Sequence, residues 1–276
     1  MKYEHLEIES AGGVATLWLA RPEKLNALDR PLWDSIPAAV AALDADPAVR
    51  VIVLAGRGKG FCAGIDLLDH AAPLASGGSI SGRGESPVGK RRALYDDVRR
   101  YQHTASCFAD TDKPVIAAVH GACIGAGMDL ITACDFRLAA VDAKFSVRET
   151  KIAMVADVGT LQRLPRVIGD GPARELIYTG RDIDAARALQ IGLVNEVLPD
   201  AAALHARARE IADEIAANSP LAVQGSKKVL GYSVRRDVDA ALDYVALWNS
   251  AFLHSDDLAE AMSAFMQRRP PKFQGR

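Results

Sequence analysis

The sequence predicts an α/β fold over residues 1–200, followed by a helical region over 201–276. Three observations carry this. The runs VIVLAG (51–56) and VIAAVHG (115–121) are almost wholly apolar, as strands buried on both faces of a sheet are. Strand-like and helix-like segments alternate as far as Asp200. Beyond Asp200 every pattern is helical.

In chain order, VATLWLARP (14–22) reads as a first strand that stops at Pro22. Asp29 then caps a helix running to about Leu43, with Pro31 in its first turn. VRVIVLAG (49–56) is the next strand. Asp69 to Gly89 holds five glycines and Ser76, Ser79 and Ser81, a composition that predicts a mobile connection, either a lid or a tolerated insertion. Arg91 to Phe108 separates polar from apolar faces and predicts a second helix. Strands follow at PVIAAVHG (114–121), CDFRLAAVDA (134–143) and GLVNEVLP (192–199). The tail divides into helical segments at 200–219, 220–230, 237–253 and 256–269. Val238, Leu242, Val245, Trp248 and Phe252 recur at helical steps, a stripe that must pack on its own domain or on another subunit.

Composition narrows the function classes. With 33 basic against 35 acidic residues the net charge is −2, which gives no global attraction to nucleic acid. Cys62, Cys107, Cys123 and Cys134 are scattered, so reduced thiols are expected rather than a disulfide frame or a zinc site. No apolar run reaches the roughly 18 residues of a membrane span. The N-terminal MKYEHLEIES lacks an apolar signal region and the terminal KFQGR is no peroxisomal address, so a cytoplasmic location is expected.

Two glycine turns follow the buried strands. In GKGFCAGIDL (58–67), Gly64 allows a tight turn that leaves a backbone N–H aimed into a cleft. In HGACIGAGMDL (120–130), Gly125 and Gly127 open a helix whose first N–H groups can hold an anion or a developing oxyanion. Each turn alone is more often plain packing. Three acids follow: Asp129, Glu149 and Asp157. Singly, Asp129 reads as a helix-dipole partner, Glu149 as a solvated acid beside Arg148, and Asp157 as an N-cap of a helix starting near Val158. His120 reads as a satisfied histidine at a strand end. Asp66, Asp135 and Asp142 read as structural.

Taken together and in order, FCAGIDL, HGACIGAGMDL and ACDFRLAA resemble the crotonase family of enoyl-CoA hydratases and isomerases, and ARPEKLNALD (20–29) is similar to that family's opening segment. The resemblance spans residues 3–265. It implies a crotonase-like core of stacked ββα turns, with a C-terminal helical region that builds trimers, often paired into hexamers. It implies an acyl-CoA substrate and no separate cofactor, because coenzyme A is part of the substrate. Nucleic acid and membrane are not implied as partners. The thioester oxygen would be held by the N–H groups of Ile65, after Ala63 and Gly64, and Ala126, after Gly125. Many relatives have glycine at the position of Ala126, and Cys62 is less usual than Ser or Ala.

The acids separate the subfamilies. Simple hydratases usually carry glutamates at the positions matching Asp129 and Glu149, and glycine at that of Asp157. The set here, within MVADVGTLQRLPRVIG (154–169), resembles the Δ3,5-Δ2,4-dienoyl-CoA isomerases, as do SPLAVQGSKKVL and YVALWNSAFL. The resemblance implies that Glu149 and Asp157 are the acid and base of a proton shift, in either assignment, with Asp129 supporting the pocket. Lys24, with Arg21 and Lys59, is a candidate for the coenzyme A phosphates, and Arg268, Arg269 and Lys272 for reaching a neighbouring subunit's ligand. The competing expectations are a 2-enoyl-CoA hydratase, a 3,2-enoyl-CoA isomerase, and a non-catalytic acyl-CoA- or RNA-binding relative.

Overall fold

A computed structural model describes residues 3–70, 83–84 and 86–272, without the side chains of 232–239, 241, 248 and 252. Most of the glycine-rich connection read as a lid or a tolerated insertion therefore lies outside the described residues, as do the side chains of Val238, Trp248 and Phe252.

Strands β1 (Leu6–Ala11) and β2 (Val14–Leu19) form an antiparallel hairpin around Gly12 and Gly13. Then come α1 (Arg30–Ala45), β3 (Val51–Gly56), α2 (Pro87–Asp110), β4 (Val115–Val119), β5 (Ala122–Ile124) and α3 (Ala126–Ala133). Strands β6 (Phe136–Ala140) and β7 (Lys144–Ser146) lead to a 3₁₀ turn at Glu149–Ile152, then to α4 (Thr160–Ile168) and α5 (Asp170–Thr179). Short β8 (Ile183–Asp184), α6 (Ala185–Gln190) and β9 (Glu196–Leu198) precede the tail helices α7 (Ala201–Ala217), α8 (Pro220–Phe252) and α9 (Asp256–Met266).

The main sheet has the order β1-β2-β3-β4-β6-β9, parallel from β2 onward, and β5, β7 and β8 form a second, smaller sheet. This is the α/β architecture with repeated ββα units that was expected. Alternation in β3 explains why its run is apolar throughout. Ile52 and Leu54 enter the core beneath α1 and α2, while Val51, Val53 and Ala55 face the other way. On that second face they meet Leu204, Ala208, Ala212 and Ala216, so α7 lies directly on the sheet.

Several boundaries differ from the sequence reading. LEIESA forms β1, an edge strand with mostly exposed side chains, so its charges hid it. β5, β7 and β8 have three residues or fewer, too short to show a period. α2 starts at Pro87, four residues before Arg91, because Ser86 caps it by accepting the Gly89 N–H. The segments 220–230 and 237–253 are one continuous helix. The predicted cap at Asp29 is present: its side chain accepts the Leu32 N–H at 3.1 Å.

Candidate active site

The first turn is held from below by Asn26, fully buried in a left-handed conformation. Its amide donates to the carbonyls of Arg57 and Gly60 and accepts the Arg21 N–H. A parallel bridge then joins Leu28 to Ile65, using the N–H groups of Leu28 and Asp66. The Ile65 N–H is not consumed by that bridge. Gly64 has φ of 99°, and a Cβ there would stand 3.0 Å from the Ile124 carbonyl oxygen. Glycine is thus required twice, for backbone conformation and for close approach.

The second turn stacks on the first through a parallel backbone β-bridge between Cys62 and Cys123, both free thiols, with the Ile124 N–H donating to the Cys62 carbonyl at 2.9 Å. Burial pushes the Cys62 thiol up to about 12, so it stays neutral packing. Gly125, with φ of 53°, turns the chain into α3. Ala126 is the first residue of that helix, so its N–H has no acceptor within it. The two predicted donors belong to adjacent turns, since a Cβ on Gly64 would lie 3.8 Å from the Ala126 nitrogen.

All three predicted acids line one pocket with these turns. Asp129 is buried on α3, and its Oδ1 accepts both the Thr160 N–H and the Thr160 hydroxyl at 2.6 Å. Burial raises its pKa to about 6, and the two Thr160 donors and Arg163 restrain the rise. Glu149 opens the 3₁₀ turn, against the second glycine turn: a Cβ on Gly125 would meet its Oε1 at 3.4 Å. Its Oε2 is sealed from solvent without a hydrogen-bond partner. Withdrawal from water, then the charge of Asp129, pushes Glu149 up to about 8. Asp157 is pushed up to about 7 by withdrawal from water, with the Asn249 amide working against the rise and Asp129 adding to it.

Apart from Tyr101 and Arg148, the remaining walls are apolar, including Trp33, Leu94, Val98, Met154 and Leu253, around about 840 Å³ of space open at one side. Such a cavity sets polar N–H groups and acids beside apolar walls, as small-molecule sites do. No cluster of three or more metal-ligating side chains occurs among the described residues.

Three sequence readings are corrected here. Asp157 is not a helix cap: α4 begins at Thr160 after Gly159, and Asp129 supplies the acceptor for its start from another helix. Glu149 is not solvated; Arg148 beside it pairs with Asp182 instead. His120 is half satisfied, with Nε2 on the Gly58 carbonyl and Nδ1 buried without a partner, away from the pocket lining.

Ala63, Gly64, Ile65, Gly125 and Ala126 all reach the pocket. Lys24 does not line it; it is exposed on the Pro22–Lys24 turn, and Lys59 is exposed as well. Arg21 is committed to Asp29 and Asp66, and Arg269 to Glu260, which leaves neither guanidinium uncompensated for a phosphate. Asp66 and Asp135 are structural, as expected; Asp135 pairs with Lys227. Sequence reasoning missed Asn249, Gln102 and Thr160, which hold the acids. Asn249, an amide inside an apolar helical stripe, was the available signal.

Comparison with known proteins follows the same lines. The profile of the enoyl-CoA hydratase/isomerase family matches residues 9–276. The chain is 44% identical over 274 residues to a peroxisomal Δ(3,5)-Δ(2,4)-dienoyl-CoA isomerase of Arabidopsis thaliana, covering 98% of this chain and 97% of that one. It is 43% identical over 272 residues to the mitochondrial enzyme of the same name from Dictyostelium discoideum, covering 99% and 91%. Its fold matches the crystal structure of an enoyl-CoA hydratase from Mycobacterium avium subsp. paratuberculosis K-10 with a TM-score of 0.82 at 26% identity, over 99% of this chain and 100% of that one.

Proposed function

The chain belongs to the enoyl-CoA hydratase/isomerase family, and we propose that within it the chain is a Δ3,5-Δ2,4-dienoyl-CoA isomerase. The observation that carries the reading is Asp157, a third acid in the same pocket as Asp129 and Glu149. A hydratase needs two acids around one water and has no task for a third.

Moving the double bonds from 3,5 to 2,4 removes a proton from C2 and returns one at C6. The charge of the intermediate dienolate reaches the thioester oxygen. The N–H groups of Ile65 and Ala126 would meet it there, each donor contributing roughly 3–4 kcal/mol to the transition state. Glu149 abuts the turn that carries Ala126, so it addresses C2 and takes that proton. Asp157, on a separate segment, addresses C6 and gives one back. The pair carries a single proton. With Asp157 near 7 and Glu149 near 8, either carboxyl can hold it around neutral pH. Asp129 shapes the pocket and raises both neighbours through its charge. The reaction moves protons without net oxidation, so acid/base groups suffice and no cofactor is needed.

Exposed Lys24 and Lys59 are the proposed contacts of the coenzyme A phosphates. Exposed Leu221, Val229 and Leu230 on α8 support assembly into a trimer or hexamer, and a cytoplasmic location belongs to the same reading. No helix among the described residues is long and apolar enough to cross a membrane.

The test offers 3,5-dienoyl-CoA and follows the absorbance of the 2,4-diene, with hydration of 2-enoyl-CoA measured alongside. Isomerisation should dominate, and Asp157→Asn should abolish it while the circular dichroism spectrum is unchanged. Hydration as the faster reaction, or full activity in Asp157→Asn, overturns the assignment.

A further inference from the structure

We infer that Asn249, on the C-terminal helix α8, is a positioning residue: its amide fixes the Asp157 carboxylate so that one oxygen, Oδ1, faces the substrate. The inference rests on the dienoyl-CoA isomerase reading and extends it to a helix far away in sequence.

Asn249 is 1% exposed. Its Nδ2 carries two hydrogens, and both have acceptors: the Val155 carbonyl at 2.9 Å and Asp157 Oδ2 at 2.5 Å. A backbone carbonyl can only accept. Val155 therefore dictates that the nitrogen of the Asn249 amide, not its oxygen, turns toward the acid. From the other side, Gln102 Nε2 donates to the Asp157 backbone carbonyl at 2.8 Å and to that of Leu242 at 2.9 Å. Residues 155–157 belong to no helix or strand, so two buried amides from α2 and α8 supply the support a ladder would give.

The consequence is atomic. Oδ2 accepts an N–H in both protonation states of Asp157, so the proton comes and goes on Oδ1. The donor also favours the ionised form and offsets part of the cost of burial. The charged groups around Asp157 are Asp129 on α3 and Glu149 on the 3₁₀ turn, with Arg163 of α4 behind Asp129. α2 and α8 meet it through Gln102 and Asn249. Removing the Asn249 donor must therefore make Asp157 harder to ionise.

The experiment uses full-length Asn249→Ala, with near-isosteric Asn249→Leu as the comparison should the smaller side chain unfold the helix. With 3,5-dienoyl-CoA, kcat should fall at least about tenfold, the rate equivalent of one hydrogen bond to a charged group, while KM stays within about threefold. The acidic limb of the kcat/KM profile, set by the first ionisation of the Asp157–Glu149 pair, should move to higher pH. A purely structural role would leave that limb in place. Activity within about twofold of wild type, or an unmoved limb, overturns the role of Asn249. A wild-type enzyme inert toward 3,5-dienoyl-CoA overturns the isomerase reading instead.

Discussion

Asp157 and Glu149 are both raised by withdrawal from water, but they differ in what else acts on them. Oδ2 of Asp157 has a donor, whereas Oε2 of Glu149 is sealed off with none. Withdrawal from water and then the Asp129 charge take Glu149 to about 8, while the Asn249 amide limits the rise of Asp157 to about 7. If the singly protonated pair is the active form, kcat/KM should trace a bell with its maximum between those values, measurable as a rate profile across neutral pH. Gly125 makes a second residue-scale test. Alanine there would be strained at a φ of 53°, with its Cβ in contact with Glu149 Oε1 at 3.4 Å, so the turn beside Glu149 would shift. Gly125→Ala should lower kcat by about 10²-fold, the usual cost of misplacing a reacting group by an ångström, with little change in the far-ultraviolet spectrum. The residue types and order of this site were legible in the sequence. Their supports were not, because Asn249 and Gln102 lie 92 and 55 residues from Asp157.

At the scale of elements, α4 starts without a local side-chain cap. Asp129 on α3 substitutes for one, taking both the N–H and the hydroxyl of Thr160. Two elements of the site are thereby locked together, since α3 also carries the Ala126 N–H. Asp129→Ala should cost about 1–3 kcal/mol in urea unfolding, the price of leaving these buried donors unpaired. Asp129→Asn keeps an acceptor and should cost less. Sequence periodicity found the long helices and buried strands, but it assigned Asp157 the capping task that Asp129 performs. Locally only Asp157 shows the capping pattern, an acid just before a helix, whereas Asp129 lies inside α3, 31 residues from Thr160. Which acid reaches the free N–H groups depends on how α3 and α4 pack.

For the whole molecule, three carboxyls are held protonated well above their ordinary range: Asp129 to about 6, Asp157 to about 7 and Glu149 to about 8. In the unfolded chain the same groups ionise near pH ~4. Above that pH the folded protein binds more protons than the unfolded one, so the unfolding free energy falls as pH rises through the folded values. The site is thus a stability cost at neutral pH. Asp157→Asn removes one charge that the fold must bury, and it should raise Tm at pH ~8 by a few degrees, with a smaller gain at pH ~5. Thermal unfolding of both proteins at the two pH values checks this. An inactive variant more stable than its parent is the expected signature of an acid kept for chemistry.

The sequence by itself determined the α/β class, the two glycine turns and the identity of the three acids. Those features are local: apolar runs fix strands, and glycine fixes turns that other residues strain to make. Only the tertiary structure decided that the acids share one pocket, which of them caps α4, and that a helix from the last quarter of the chain holds Asp157. These depend on contacts between segments far apart in the chain, where packing and burial, not local preference, set the geometry and the charge.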